Sequence, residues 1–474
     1  MKKVLVALLL IVSMLLSVVG MTGCKKPMPS FVIPEEGFNM EEEVTITFYH
    51  TMGQTLQSVL VNSIDYFNTL YPNIHIEHEQ VGGYDDVRDQ ISKELMAQNQ
   101  PNIAYCYPDH IALYNTSGGV VTLDELMAYN QEITRADGSK EVFGLTEEQK
   151  ADFVKGYWDE GKSFGDGKMY SLPLSKSTEL LFYNADFFKQ HNLTVPTTWE
   201  EMEALCAEIK RIDPNCIPLG YDSEANWFIT LCEQYGYPYT SLEGEEKFLF
   251  DDERNYDFVE MIRRWYKAGY VTTQEIYGAY TSNLFTATGA DEVKSYMSIG
   301  SSGGTAHQAP TADGDGKYPF EVGIATIPQV NPEAPKAISQ GPSLCILQSA
   351  NPQEVMASWL FVKFLTTDLA FQADFSMASG YVPVIKSATE DPFYQSFLAK
   401  ANGSDYITAQ GASVCLAQSD AYFTSPAFNG STVAREQVGL LLQKCMVSSW
   451  SDETVRENIS KAFKDAVAIC KARS

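Results

Sequence analysis

Apolar Val44, Ile46 and Phe48 alternate with Thr45, Thr47 and Tyr49, the period of a strand with one face more apolar than the other. Leu56, Leu60, Ile64 and Phe67 then recur at helical spacing until Pro72 closes the segment. The pattern goes on to predict a strand at 74–81, a helix carrying Val87, Ile91 and Leu95, and a strand at 103–107 after Pro101. Strands alternating with helices in this order predict an α/β fold with a parallel, doubly wound sheet, which binds ligands at loops beyond its strand ends. A second unit of the same kind follows. "LLFYN" at 180–184 is a short apolar strand, and Thr198 stands three residues before Glu201 at the head of an apolar-periodic run, the spacing of a helix capping box. Helices are predicted over 255–268 and 352–366, and "YMSIG", "VGIATIP" and "SLCIL" read as late strands. Strands that return after a long helical stretch suit domains that are discontinuous in sequence.

Ahead of this body, Met1, Lys2 and Lys3 precede a run from Val4 to Val19 broken only by Ser13 and Ser17. A charged start, an apolar run below the ~20 residues of a comfortable membrane span, and small residues after it are the marks of a signal peptide. Met21, Thr22, Gly23 and Cys24 resemble the lipobox of bacterial lipoproteins. The expectation is a signal peptide over 1–23, a lipidated Cys24, and a proline- and glutamate-rich tether over 24–43 that holds the body on the extracytoplasmic face of the cell membrane.

Composition narrows the function. The 474 residues exceed what one core usually organises, so two domains are expected. A formal net charge of −27 disfavours nucleic acid and anionic lipid as partners. Nine cysteines include Cys24; the other eight show no CxxC or framework spacing and read as buried free thiols.

Several chemistries can be weighed on their residues. Gly300, Ser301, Ser302, Gly303 and Gly304 fit the G-x-S-x-G elbow of a secreted serine hydrolase, but His307 is the last histidine and lies only five residues past Ser302. The turn suits a polar ligand equally well. His75 and His78 point to opposite faces of their strand, so no shared metal is expected, and no motif for a cofactor is present. More distinctive are aromatic residues in polar, turn-like surroundings: Tyr84 after two glycines, Trp227 in "SEANWF" and Tyr381 in "SGYVP". Rings beside hydroxyl and amide groups suit sugars, whose C–H faces stack while their hydroxyls need hydrogen bonds.

"ITFYHTMGQT", "GGYDDVRDQI", "SLPLSKSTELLFYNADFFKQHNLTVPTTWEEM", "MSIGSSGG", "ISQGPSLCIL" and "ASGYVPV" occur in this order. Together they resemble the extracellular solute-binding proteins of ABC importers, family 1, the group that includes maltose and glycerol-3-phosphate binders. The resemblance spans nearly all of 44–474. It implies a type II periplasmic-binding-protein-like fold: two doubly wound lobes around a ligand cleft, with an N-terminal lobe of 44–175 and 297–340, a C-terminal lobe of 176–296 and 341–474, and crossings near 175, 297 and 341. It also implies a monomer that hands a sugar to membrane permease subunits, with no reaction and no cofactor. Carried over from glycerol-phosphate-type members, the site comprises Tyr84, Asp109, Ser177, Trp199, Ser301 or Ser302, Gly341 and Tyr381. His50 and Trp227 join on chemistry. Those members place an arginine on the phosphate late in the chain; "SDAYFTSPAFNGS" has none, and Arg435 lies beyond it in a predicted helix. A neutral sugar is therefore expected ahead of glycerol 3-phosphate or a glycerophosphodiester. A secreted hydrolase is the further alternative, and an adhesin or sensor could use the same lobes without transport.

Overall fold

Residues 30–289, 291–402 and 406–474 are described by the computed structural model; the signal segment and Cys24 lie outside them. The local expectations are met where the pattern was periodic. The strand Val44–His50 buries alternate residues, and the helix Gln54–Leu70 buries Leu60, Ile64, Phe67 and Leu70 as one stripe. The helix Trp199–Ile212 starts where its box placed it: the Thr198 hydroxyl accepts the Glu201 N–H at 3.2 Å, and the Glu201 carboxylate accepts the Thr198 N–H at 3.3 Å.

These elements build two five-stranded sheets. In the first, Ile74–Gln80, Val44–His50 and Ile103–Cys106 run parallel, followed by Ser343–Ile346 and Leu172–Pro173. In the second, the order is Val322–Thr326, Glu179–Asn184, Met297–Ser301, Leu219–Tyr221, Val271–Thr273. Neither sheet is purely parallel as the βαβ pattern predicts. Ser343–Ile346 is antiparallel to both its neighbours, and so is Glu179–Asn184. Each is the strand the chain enters directly from the other lobe, so it arrives without the crossover helix that would turn it parallel.

The expected lobe boundaries need correction. Met297–Ser301 and Val322–Thr326 pair in the second sheet, so 297–340 does not join the N-terminal lobe. Residues 341–398 belong to the first lobe instead: Ser343–Ile346 extends its sheet, and Trp359, Phe361 and Phe375 fill its core. The last two helices, Ser431–Val447 and Val455–Arg473, return to the second core with Leu441 and Phe463. The chain therefore crosses at 174–178, at 338–342 and again before 424, and it does not cross near 297. The three passages lie side by side. Ser177 and Gln340 exchange backbone hydrogen bonds at 2.9 and 2.8 Å, and Ala337 and Ile338 pair with Tyr422 and Phe423.

Two features lock this junction. Gly341 has φ +96°, and a Cβ there would strike the Ser175 carbonyl oxygen and stand 2.8 Å from the Lys176 Cα. Beneath it, Lys176 forms a fully buried ion pair with Glu160, and Lys176 Nζ also donates to the Gly341 carbonyl at 3.2 Å. The eight cysteines described are all buried free thiols. No helix among the described residues is long and apolar enough to cross a membrane.

Candidate functional site

A cleft opens between the lobes at the ends of both sheets. It has a narrow inner part against the crossing strands and a larger outer part. Its first-lobe wall comes from two helix starts. Asp86 accepts the Gly83 N–H at 2.8 Å and so fixes the entry to the helix Tyr84–Ala97, which presents Tyr84 in its first turn. Tyr107 precedes Pro108 at the head of Pro108–Asn115, whose first turn carries Asp109. The Tyr84 ring lies 4.4 Å from that of Tyr107 and stacks on Tyr105 at 5.5 Å and 18°. Its hydroxyl is 3.5 Å from that of Tyr381. Burial pushes the pKa of each of these four tyrosines up, so all are neutral hydroxyls at physiological pH.

The second-lobe wall comes from the strand end at Tyr221, the helix Glu224–Tyr235 and the helix Ser431–Val447. Asp222 is engaged by the Thr281 backbone N–H and hydroxyl, both at 2.7 Å. Arg435 lines the inner and the outer cleft, and it is held by the side-chain oxygen of Asn226 rather than by a carboxylate. The outer cleft is rich in acids, among them Asp85, Asp109, Asp222, Glu224 and Glu275. Its other guanidinium, Arg88, is already paired with Asp85 and Asp89 at 2.8 Å each. Asp109 Oδ2 and Glu224 Oε1 are buried and have no hydrogen-bond partner among the described residues, which leaves two acceptors for a ligand's donors. The lobes touch at one edge, where the Thr432 hydroxyl donates to the Asp109 carbonyl oxygen at 3.1 Å.

Of the residues named from the sequence, Tyr84, Asp109 and Gly341 line this cleft. Tyr381 stands behind Tyr84, and the Ser301 hydroxyl donates to that of buried Ser177 at 3.3 Å beside the crossing. Four others are placed elsewhere. Ser302 is enclosed between the Thr178 N–H and the Cys415 thiol, and its segment is a 3-10 helix rather than a nucleophile elbow. His50 is fully buried, 2.9 Å from His78; that neighbour and burial together lower its pKa to about 4, burial being the larger effect. His75 reaches Glu43 instead, so the two strand histidines do diverge. Trp199 and Trp227 are core residues of the second lobe. "SEANWF" looked turn-like because it is polar, but Ser223 caps a helix by accepting the Asn226 N–H at 3.2 Å, and Trp227 falls on that helix's inner face. Arg435 and Asn226 were missed: they are 209 residues apart and meet only through packing of two helices.

One buried acid gives a pH-dependent stability. Burial, the largest influence, raises Glu179 to about 7, against the pull of hydrogen bonds from Tyr221 and Asn226. A carboxyl with a folded pKa above its unfolded value stabilises fully below the unfolded value, ~4.3, and loses that contribution as pH rises through the folded one. The melting temperature of Glu179→Gln is therefore expected to rise less than that of the parent protein between pH 8 and 5. Parallel profiles would place the Glu179 pKa near its ordinary value.

Comparison with known proteins agrees with this geometry. Residues 62–401 match a family described as bacterial extracellular solute-binding protein. The sn-glycerol-3-phosphate-binding periplasmic protein UgpB of Escherichia coli (strain K12) is 24% identical over 385 residues, covering 78% of this chain and 81% of the relative. Among solved structures, UgpB from Mycobacterium tuberculosis in complex with glycerophosphocholine superposes with a TM-score of 0.69 at 19% identity, covering 90% of this chain and 98% of that one. The GacH receptor of Streptomyces glaucescens, solved unliganded and with acarbose, gives 0.68 at 15% identity, with 90% and 99% covered. The two-lobed α/β architecture is thus that of the maltose-binding-protein-like type II fold.

Proposed function

Because the chain belongs to the bacterial extracellular solute-binding protein family, we propose that its cleft captures a sugar and hands it to the permease subunits of an ABC importer without transforming it. The observation that carries this reading is the pairing of a tyrosine wall with unpartnered carboxylate oxygens across one cleft. Sugar hydroxyls donate to carboxylates and accept from a guanidinium, and the apolar ring face stacks on tyrosine. A saccharide panel titrated by calorimetry tests it directly; binding by none of the panel, with a phosphate ester binding tightly, overturns it. In the sugar-bound protein Tyr84→Ala is expected to weaken affinity severalfold, since stacking is worth ~0.5–1.5 kcal/mol beyond burial.

A second reading has its own support. Residues 419–431 hold no arginine, but Arg435 lines the cleft and is placed to meet a phosphate, and relatives of this chain are named for sn-glycerol 3-phosphate. A phosphate held by charge weakens as salt rises, whereas a neutral sugar is nearly indifferent. The acids of the outer cleft disfavour a dianion, so the sugar stays first.

The hinge follows from the three adjacent crossings, and closure on ligand is the expected motion. Small-angle scattering should show a smaller radius of gyration with ligand bound; an unchanged profile at saturation argues for a rigid cleft. The lipid anchor rests on the sequence around Cys24. Cys24→Ala is expected to abolish incorporation of radiolabelled fatty acid, and equal labelling of the variant would remove the anchor from this picture.

A further inference from the structure

Glu179 opens the strand Glu179–Asn184 directly after the first crossing, and it is 1% exposed. Its carboxylate is not committed to a cation. One oxygen accepts the Tyr221 hydroxyl, and the Asn226 side chain is among the groups that favour its ionised form. Asn226, in the first turn of Glu224–Tyr235, offers its side-chain oxygen to the Nη2 of Arg435. That assignment leaves the amide one orientation: its NH2 toward the acceptor Glu179, its oxygen toward the donor Arg435. Tyr221, Glu179, Asn226 and Arg435 thus cluster between the strand ends of the second sheet and the cleft wall, with the Tyr221 hydroxyl on Glu179 at one end and Arg435 on Asn226 at the other.

Resting on the reading that the cleft holds the solute, we propose that Glu179 is a specificity-determining residue whose charge, relayed through Asn226, sets how much of the positive charge of Arg435 a ligand meets. With Glu179 ionised, the guanidinium is compensated from behind and the cleft favours a neutral ligand. With Glu179 protonated, Arg435 loses that compensation from behind and an anionic group gains relative to a neutral one. Glu179 is buried and Arg435 half-buried at the cleft wall, so water screens their interaction only in part.

Glu160 and Tyr239 share the inner cleft with Arg435, and Arg435 acts on Tyr239. Tyr221 and Asp222 meet Glu179 from the strand Leu219–Tyr221, two places along the sheet, and from its turn, and Arg435 does so from the helix Ser431–Val447. Ser301 lies opposite Glu179 in the sheet register. Across the cleft, burial raises Tyr107 and lowers His110, and on each of them Arg435 and Asp109 act in opposite directions. Tyr221 is pushed well above its usual value by burial and stays a hydroxyl donor. Glu179, at about 7, is the member that changes charge near neutrality.

Two measurements test the proposal, and the first needs no ligand. Carboxyl-labelled glutamate, with Glu179 assigned by its loss in Glu179→Gln, and the Arg435 Nε, assigned by Arg435→Lys, are followed by NMR from pH 5 to 9. Both resonances are expected to move with one midpoint near 7, and Arg435 should stop responding there in Glu179→Gln and in Asn226→Leu. An ordinary Glu179 midpoint, or an Arg435 signal indifferent to Glu179→Gln, overturns the relay. The second is calorimetry with glycerol 3-phosphate, inorganic phosphate and maltose. Glutamine keeps the acceptor for Asn226 but removes the charge, so at pH 8 Glu179→Gln should shift the ratio of phosphate-ester to maltose affinity by about tenfold toward the ester. That shift should shrink at pH 5.5, where the parent carboxyl is itself protonated. An unchanged ratio at pH 8 overturns the proposal. If none of the three probes binds, the functional reading suffers, and the NMR arm still decides the relay.

Discussion

Trp227→Ala is expected to lower folding stability by about 3–5 kcal/mol. The indole is 0% exposed. It stacks on Tyr221 at 4.6 Å and 9°, with Trp199 at 5.9 Å and Trp265 at 6.2 Å. Alanine would leave a cavity among three large rings that rigid neighbours cannot fill. Urea denaturation should show an earlier midpoint, and the fraction still folded should lose less ligand affinity than Tyr84→Ala does. The opposite outcome, an unmoved midpoint with binding abolished, would return Trp227 to the cleft, where its polar sequence neighbours had suggested it belonged.

Lys176→Met should be comparably damaging for an electrostatic reason. It leaves the Glu160 carboxylate buried beside Ser343 with no cation, and breaking such a pair costs about 3–5 kcal/mol. The double variant Lys176→Met, Glu160→Gln should recover a large part of that loss, because a buried neutral amide is far cheaper than a buried lone charge. The two changes made singly and together form a cycle whose coupling is read from denaturation midpoints. Additive losses would mean that the pair does not interact as its geometry implies. Because Glu160 also lines the inner cleft, the same variants report whether the junction and the ligand site are coupled.

The contrast between Trp227 and Tyr84 shows where local sequence stops being informative. Both stand in polar stretches that read as turns. Tyr84 does follow a glycine turn and faces the cleft, whereas Ser223 converts the other stretch into a helix start and turns the indole inward. A capping serine and a turn serine are the same letter, and only the packing partner decides between them. His50 failed for a related reason: its strand end lies beneath the surface, and its polar atoms are satisfied by His78 and the Met52 N–H.

What the sequence determined by itself was whatever depends on near neighbours along the chain. Periodicity placed the strands and helices of the βαβ units, the Thr198 and Glu201 pair started its helix on the expected residue, and the ordered motifs carried the family resemblance. Strand partnership, by contrast, is a contact between distant segments, and no local period encodes it. That is why Met297–Ser301 and Ser343–Ile346 were assigned to each other's lobes. The late arginine followed the same rule. As a letter, Arg435 lay on a helix outside the expected stretch; packing of that helix against Glu224–Tyr235 set it on Asn226 and in the cleft. Side-chain chemistry is written in the sequence, but which charges share a low-dielectric site is decided only when the two lobes fold and meet.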